Sequence, residues 1–131
     1  EWELSEPLRT SRRTSLASAS ISVLRPRPHT RSAWDAVVRP TERLRVMGSS
    51  IVEGSLVALG SIDAFADVGG DVHRIVDLLP LVPFIECAGG SLVDLHSRPV
   101  EFDTDLEKRW SGIAAASRPL ADEIVRTALG A

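Results

Sequence analysis

Residues 45–68 read RVMGSSIVEGSLVALGSIDAFADV, and this stretch decides the fold class. Leu44 to Met47 is a short apolar run of strand type. Gly48-Ser49-Ser50 then turns the chain. Ser50-Ile51-Val52-Glu53 fits the S-x-x-E pattern, in which a serine caps a helix and an acid three positions on reaches back to the cap. The spacing predicts a helix to Leu59, stopped by Gly60, and a second strand over Ile62 to Ala66. Strand, helix and strand in close succession form the unit of an α/β layered sheet.

The same alternation extends both ways. Residues 1–17 are Arg- and Ser-rich and lack a period; they read as an N-terminal segment, with residues 18–131 as the domain. Ser18 to Leu24 is a strand, and the two prolines between Arg25 and Thr30 break it. Thr30 can cap a short helix that runs to Val38 and stops before Pro40. Downstream, Val68 to Arg74 is a loop, and a second apolar helix starts at Asp77 and ends near Gly89-Gly90. Pro80 is tolerated in its first turn, whereas Pro83 predicts a kink. Ser91 to Leu95 is a strand, residues 96–110 a charged loop, and Gly112 to Ala116 a final strand. Ser117 then caps a helix that has Pro119 in its first turn and ends at Gly130.

Composition sets the outer bounds. The 131 residues suffice for one domain, and 44% apolar with 25% charged residues is ordinary for a globular chain. The longest apolar stretch, Ile75 to Ile85, holds Asp77, Pro80 and Pro83 and falls well short of a membrane span. No basic-then-apolar start resembles a secretory signal, and cytoplasm is the expected compartment. The chain does not begin with Met, as a processed or truncated piece would not. Its one cysteine, Cys87, lies in an apolar helical stretch and reads as a small buried hydrophobe. Net charge is −3, with nine Arg against five acids over residues 1–50 and six basic residues against thirteen acids beyond. Arg makes up fourteen of the fifteen basic residues, and its planar fork suits phosphate; genomic base composition is the preferred cause of the bias. Trp2, Trp34 and Trp110 do not interleave with Arg as a nucleic-acid platform would, so nucleic acid is not the expected partner.

Two helix starts could carry chemistry. Gly48-Ser49-Ser50 and Asp77 each open a helix after a strand or loop, where free amides and the helix dipole favour anions and hydroxyls. As a bare pattern, each is better explained as a helix cap. Asp77 could also serve as an oxygen ligand for Mg²⁺, because one carboxylate oxygen can cap while the other binds metal. The histidines have no zinc spacing, and neither a G-x-S-x-G elbow nor a P-loop occurs.

Taken together, the motifs resemble the inositol monophosphatase family of Mg²⁺-dependent sugar phosphatases. Gly48-Ser49-Ser50, the helix to Leu59 and the run Gly60 to Phe65 resemble the family's Gly-Ser/Thr-Ala turn, helix and Gly-x-Asp-Ala-aromatic strand. Asp67 follows Asp63 by four positions, as the family's acidic residue does. Asp77 lies eleven residues before Ala88-Gly89-Gly90, which resembles the spacing from the family's Trp-Asp motif to its Glu-Ala-Gly-Gly turn. Ser91 to Asp94, and Gly112 to Ser117, resemble the strands that follow. The DAFADV wording and the lack of Trp before Asp77 lean toward the archaeal-type branch, which includes fructose-1,6-bisphosphatases. The likeness covers only the C-terminal half of such an enzyme: no Asp-Pro pair occurs, so the family's D-P-[IL]-D-G-[TS] motif is absent. Val76 stands where the family has Trp, and Leu78-Leu79-Pro80 where it has small residues.

The resemblance implies the C-terminal half of an αβαβα sandwich. It implies Asp77 as a Mg²⁺ ligand, Gly48, Ser49 and Ser50 as contacts to sugar hydroxyls, and Asp67 as the acceptor of a polyol hydrogen bond. Arg74, from its charge and position, could meet a second phosphate. The implied partners are a sugar or inositol phosphate, the other half of the enzyme and a second copy in a homodimer. One carboxylate cannot assemble a multi-metal site, so no catalytic residue is assigned and the chain by itself is expected to be inactive. The alternative is a non-catalytic polyol- or partner-binding domain derived from the family.

Overall fold

The computed structural model describes residues 6–130. Trp2 and the start of the N-terminal segment lie outside the described residues. Five short strands form one mixed sheet in the order β2-β1-β3-β5-β4. They are β1 Ser20–Val23, β2 Arg43–Arg45, β3 Ala64–Ala66, β4 Ser91–Val93 and β5 Ile113–Ala115. The helices are α1 Arg31–Val38, α2 Ser50–Ala58, α3 Ile75–Leu78, α4 Leu81–Cys87 and α5 Arg118–Leu129. β1 pairs in parallel with both β2 and β3, while β5 runs antiparallel to β3 and β4. The carboxyl ends of β1, β2, β3 and β4 therefore share one edge of the sheet.

Alternation along the strands separates two cores. One face presents Ile21, Val23, Ala64, Ala66, Ile113 and Ala115, and packs against Val37 of α1 and Leu120, Ile124 and Val125 of α5. The other presents Phe65, Leu92 and Ala114 to Val57, Leu78, Leu81 and Ile85 from α2, α3 and α4. Helix layer, sheet and helix layer give an αβα body. Full burial of each large apolar side chain contributes about 1.5–3 kcal/mol. The alanines of β3 and β5 keep the sheet surface low, so the helices approach closely.

The stretch before β1 is tied into this body. The Thr10 hydroxyl donates to the carbonyl of Ala116 at 2.8 Å, and the Thr10 amide to that of Ala88 at 2.9 Å. Leu16 is fully buried in the α1–α5 core.

Three local expectations are corrected. The helix expected from Asp77 to Gly89 is two helices, and the break falls at Leu79-Pro80 instead of Pro83. Pro83 is the third residue of α4, where its missing amide has no helical partner to lose. Cys87 is exposed on α4, because the side of that helix facing the sheet is taken by Leu81 and Ile85. The S-x-x-E cap does not form: Ser49 is the N-cap without a side-chain bond, and Ser50 and Glu53 turn to partners elsewhere in the fold. By contrast, Ser117 does cap α5, accepting from the Leu120 amide at 3.3 Å.

Candidate functional site

The split of chain directions at the sheet edge locates a crevice. The chain leaves β1 toward the layer of α1 and α5, but leaves both neighbouring strands toward the layer of α2, α3 and α4. In open α/β sheets such a divergence at the carboxyl edge leaves room for a ligand. Every expected site residue lies on loops or helix starts at this edge.

Gly48 follows β2 with a φ of +81°, a left-handed conformation that favours glycine. Its amide and that of Met47 donate to Glu53 Oε1 at 3.0 and 3.1 Å. Glu53 is fully buried, and the same oxygen also accepts from the Ser22 hydroxyl of β1 at 2.8 Å. One side chain thus fixes the turn against the middle of the sheet. Glu53 carries more of the turn's geometry than its reading as a local cap suggests.

Ser50 is nearly buried, and its hydroxyl donates to the main-chain carbonyl of Asp77 at 3.2 Å. The Gly48-Ser49-Ser50 turn and the start of α3 are therefore neighbours. Asp77 is the third residue of α3, not its N-cap: Arg74 holds the cap position, and its amide donates to Asp77 Oδ2 at 2.8 Å. The carboxylate still satisfies an otherwise free helix-end amide. Arg74 itself is exposed.

Asp67 belongs to a different cluster at the end of β3. Its Oδ1 accepts from the Gly70 amide at 2.7 Å, while Oδ2 has no hydrogen-bond partner. His73 Nε2, also without a partner, stands 3.8 Å from Oδ2, and the His73 ring lies against Phe65 with centroids 5.5 Å apart. Main-chain bonds in both directions to Trp110 hold His73 in place. Burial pushes the Asp67 carboxyl above its ordinary range; the Gly70 amide and His73 oppose that shift. Asp71 and Ser111 bond to each other beside the pair, the Ser111 hydroxyl donating at 2.7 Å.

The structure thus joins the Gly48–Ser50 turn to Asp77 and sets Asp67 with His73. A cavity of about 670 Å³, lined by Asp71, Asp94, His96, Arg109 and Trp110 among others, opens near the ends of β4 and β5. None of the six expected site residues lines it.

No family model matches the chain. A fructose-1,6-bisphosphatase/inositol-1-monophosphatase of Methanothermobacter thermautotrophicus is 32% identical over 93 residues, 71% of this chain and 33% of that protein. The protein of the same name from Thermococcus kodakarensis is 31% identical over 97 residues, 74% of this chain and 38% of its own. The solved inositol monophosphatase of Thermotoga maritima superposes with a TM-score of 0.78 at 20% identity, over 96% of this chain and 46% of its own. The chain belongs to the inositol monophosphatase family. It spans about half the length of the solved relative and about a third of the two curated ones.

Membership bears on the expected Mg²⁺. Among the described residues, no three His, Cys, Asp or Glu side chains come together as a metal would require. Asp77 keeps one oxygen on the Arg74 amide, and Asp67 is drawn into the His73 cluster. These residues do not make a Mg²⁺ site on their own; Asp77 supplies at most one ligand. The described helices include none long and apolar enough to cross a membrane.

Sequence reasoning missed His73 and the true role of Glu53. His73 is isolated in sequence, and nothing local announces that it faces a carboxylate six residues earlier. The signal for Glu53 was a buried acid in an otherwise apolar helix, which a local cap motif masked.

Proposed function

We propose that this chain is the C-terminal part of a Mg²⁺-dependent phosphomonoesterase acting on inositol phosphate or a related sugar phosphate, and that it does not hydrolyse such esters alone. The observation that carries the reading is the bond from Ser50 to the Asp77 carbonyl. It brings the turn against the main chain of Asp77 at the carboxyl edge of the sheet, in a fold that inositol monophosphatases share, and this supports the reading. In this reading Gly48, Ser49 and Ser50 receive sugar hydroxyls, Asp67 accepts one more, Asp77 is the metal-facing carboxylate and Arg74 meets a second phosphate. The remaining oxygen donors come from polypeptide outside this sequence.

The outer surface of the α2–α4 layer suggests where that polypeptide sits. Val52, Leu59, Val76, Leu79 and Phe84 are each at least 45% exposed there. An apolar face of this extent calls for a covering partner. The α1–α5 layer instead turns Arg31, Asp35, Arg118 and Asp122 outward as ion pairs. Cytoplasm remains the proposed compartment, and a homodimer the proposed assembly.

The test has two arms. The isolated chain is assayed in Mg²⁺ with inositol 1-phosphate and fructose 1,6-bisphosphate; turnover abolished by Asp77→Asn would refute inactivity alone. The chain is then combined with the non-matching part of the Methanothermobacter relative. Phosphate release that depends on Asp77 supports the reading, and release untouched by Asp77→Asn removes it. Binding of a free polyol without turnover in either arm would favour a non-catalytic binding domain.

A further inference from the structure

The loop after β1 carries features that none of the roles above uses. Residues Arg25-Pro26-Arg27-Pro28 leave the carboxyl end of β1 on the opposite side of the sheet edge from the Gly48 turn and the α3 start. A cavity of about 420 Å³ opens here, lined by Leu24, Arg25, Pro26, Arg27, Pro28 and Val72. Val72 comes from the loop after β3, so the cavity bridges the two strands between which the chain diverges.

The loop is held in shape. The Leu24 amide donates to the Ala66 carbonyl at 2.9 Å. The Arg27 amide donates to the Thr30 hydroxyl at 2.9 Å, and the Thr30 amide returns a bond to the Arg27 carbonyl at 3.1 Å. His29 Nε2 lies 3.2 Å from the Gly69 carbonyl and links this loop to the one after β3. Prolines on both sides of Arg27 fix their own φ angles and restrict their neighbours.

The arginines are unspent. Arg31, Arg98 and Arg118 each pair with an acid, whereas neither Arg25 nor Arg27 lies within ion-pair distance of a carboxylate among the described residues. Two planar guanidinium groups on a stiff loop, beside a cavity without a lining acid, suit an oxyanion with several acceptor atoms. We propose that this cavity is a phosphate-binding site, with Arg25 and Arg27 as its anion-contacting residues. Its ligand is a phosphate group, free in solution or carried on a small ester. The site stands independently of the phosphatase reading, since Arg25 and Arg27 can bind phosphate whether or not Asp77 faces a metal.

The test follows backbone amide resonances of the whole chain during titration with inorganic phosphate. Saturable shifts are expected at the amides of Leu24, Arg25, Arg27 and Val72. Binding should weaken at least tenfold in the Arg25→Gln/Arg27→Gln double variant and stay unchanged in Arg43→Gln, an exposed arginine on the edge strand. Both are surface substitutions, and an unchanged spectrum elsewhere verifies the fold. A parallel titration with fructose 1,6-bisphosphate separates the sources: tighter binding than phosphate at the same residues assigns the site to an ester. No saturable shift at millimolar phosphate, or equal binding by the double variant, overturns the proposal. So does binding of a single-stranded oligonucleotide by a chain that ignores phosphate, because the arginines then serve a polymer surface.

Discussion

Replacing Glu53 with alanine removes the acceptor that holds the Gly48 turn, and the structure lets the cost be apportioned. Three donors converge on one carboxylate oxygen: the amides of Met47 and Gly48 and the hydroxyl of Ser22. An orphaned buried donor costs about 1–3 kcal/mol. Met47 and Gly48 are exposed residues whose amides can turn partly to water, so each sits at the low end. Ser22 is fully buried but has a fallback in the Arg45 carbonyl at 3.3 Å. The emptied side-chain volume adds a cavity term. Together these predict a loss of about 3 kcal/mol, on the order of 10 °C in Tm for a chain of this size. Glu53→Gln keeps an oxygen for all three donors and places its amide nitrogen where Oε2 has no partner. It should lose about half as much. Urea unfolding gives the energies, and amide hydrogen exchange gives the mechanism. Met47 and Gly48 amides should be protected in the parent and in Glu53→Gln, and unprotected in Glu53→Ala. Unprotected amides in the parent, or a loss below about 1 kcal/mol for alanine, would refute the reasoning.

Four further outcomes are expected. Gly90→Ala would place a Cβ 2.5 Å from the Ala115 carbonyl oxygen of β5, so the strand must shift; thermal unfolding should report a loss of about 2–3 kcal/mol, and a neutral variant would contradict the packing. Ser117→Ala removes the α5 cap and should cost about 1 kcal/mol by chemical denaturation. Burial raises the Asp67 carboxyl above its unfolded value, so the native chain holds a proton that the unfolded chain has released. Stability therefore falls as pH rises from about 3.9 through the raised value and is flat beyond it; Asp67→Asn should erase that slope, and an unchanged profile would show that Asp67 is not its source. The exposed apolar layer should make the chain associate with concentration in light scattering, and Phe84→Lys should reduce this; a monodisperse parent at all concentrations would count against it.

Most of the fold was legible because its signals are local. β1, β3, β4 and β5 are short runs of apolar and small residues, β2 is Arg-Leu-Arg, and each strand lies within two residues of its expected span. α5 announces itself with Ser117 and Pro119 in a pattern that needs only neighbours in sequence. The failures share one cause, a partner remote in sequence. Ser50 gives its hydroxyl to Asp77, 27 residues on, and Glu53 takes one from Ser22, 31 residues back. A four-residue motif cannot foresee either bond. Pro80 rather than Pro83 breaks the helix because the break depends on where the helix restarts, and packing against the sheet decides that. The turn beside the α3 start was visible from motif order, but the pairing of Asp67 with His73 depends on a strand-like bridge to Trp110.

The outward position of Cys87 has a practical corollary. It stands one helical turn from Phe84, on the surface that calls for a cover, and it is the sole thiol of the chain. A maleimide dye attached there would report, by quenching or by slowed labelling, the moment another polypeptide settles over α4. The molecule thus carries its own single-site gauge of assembly, with no engineered label.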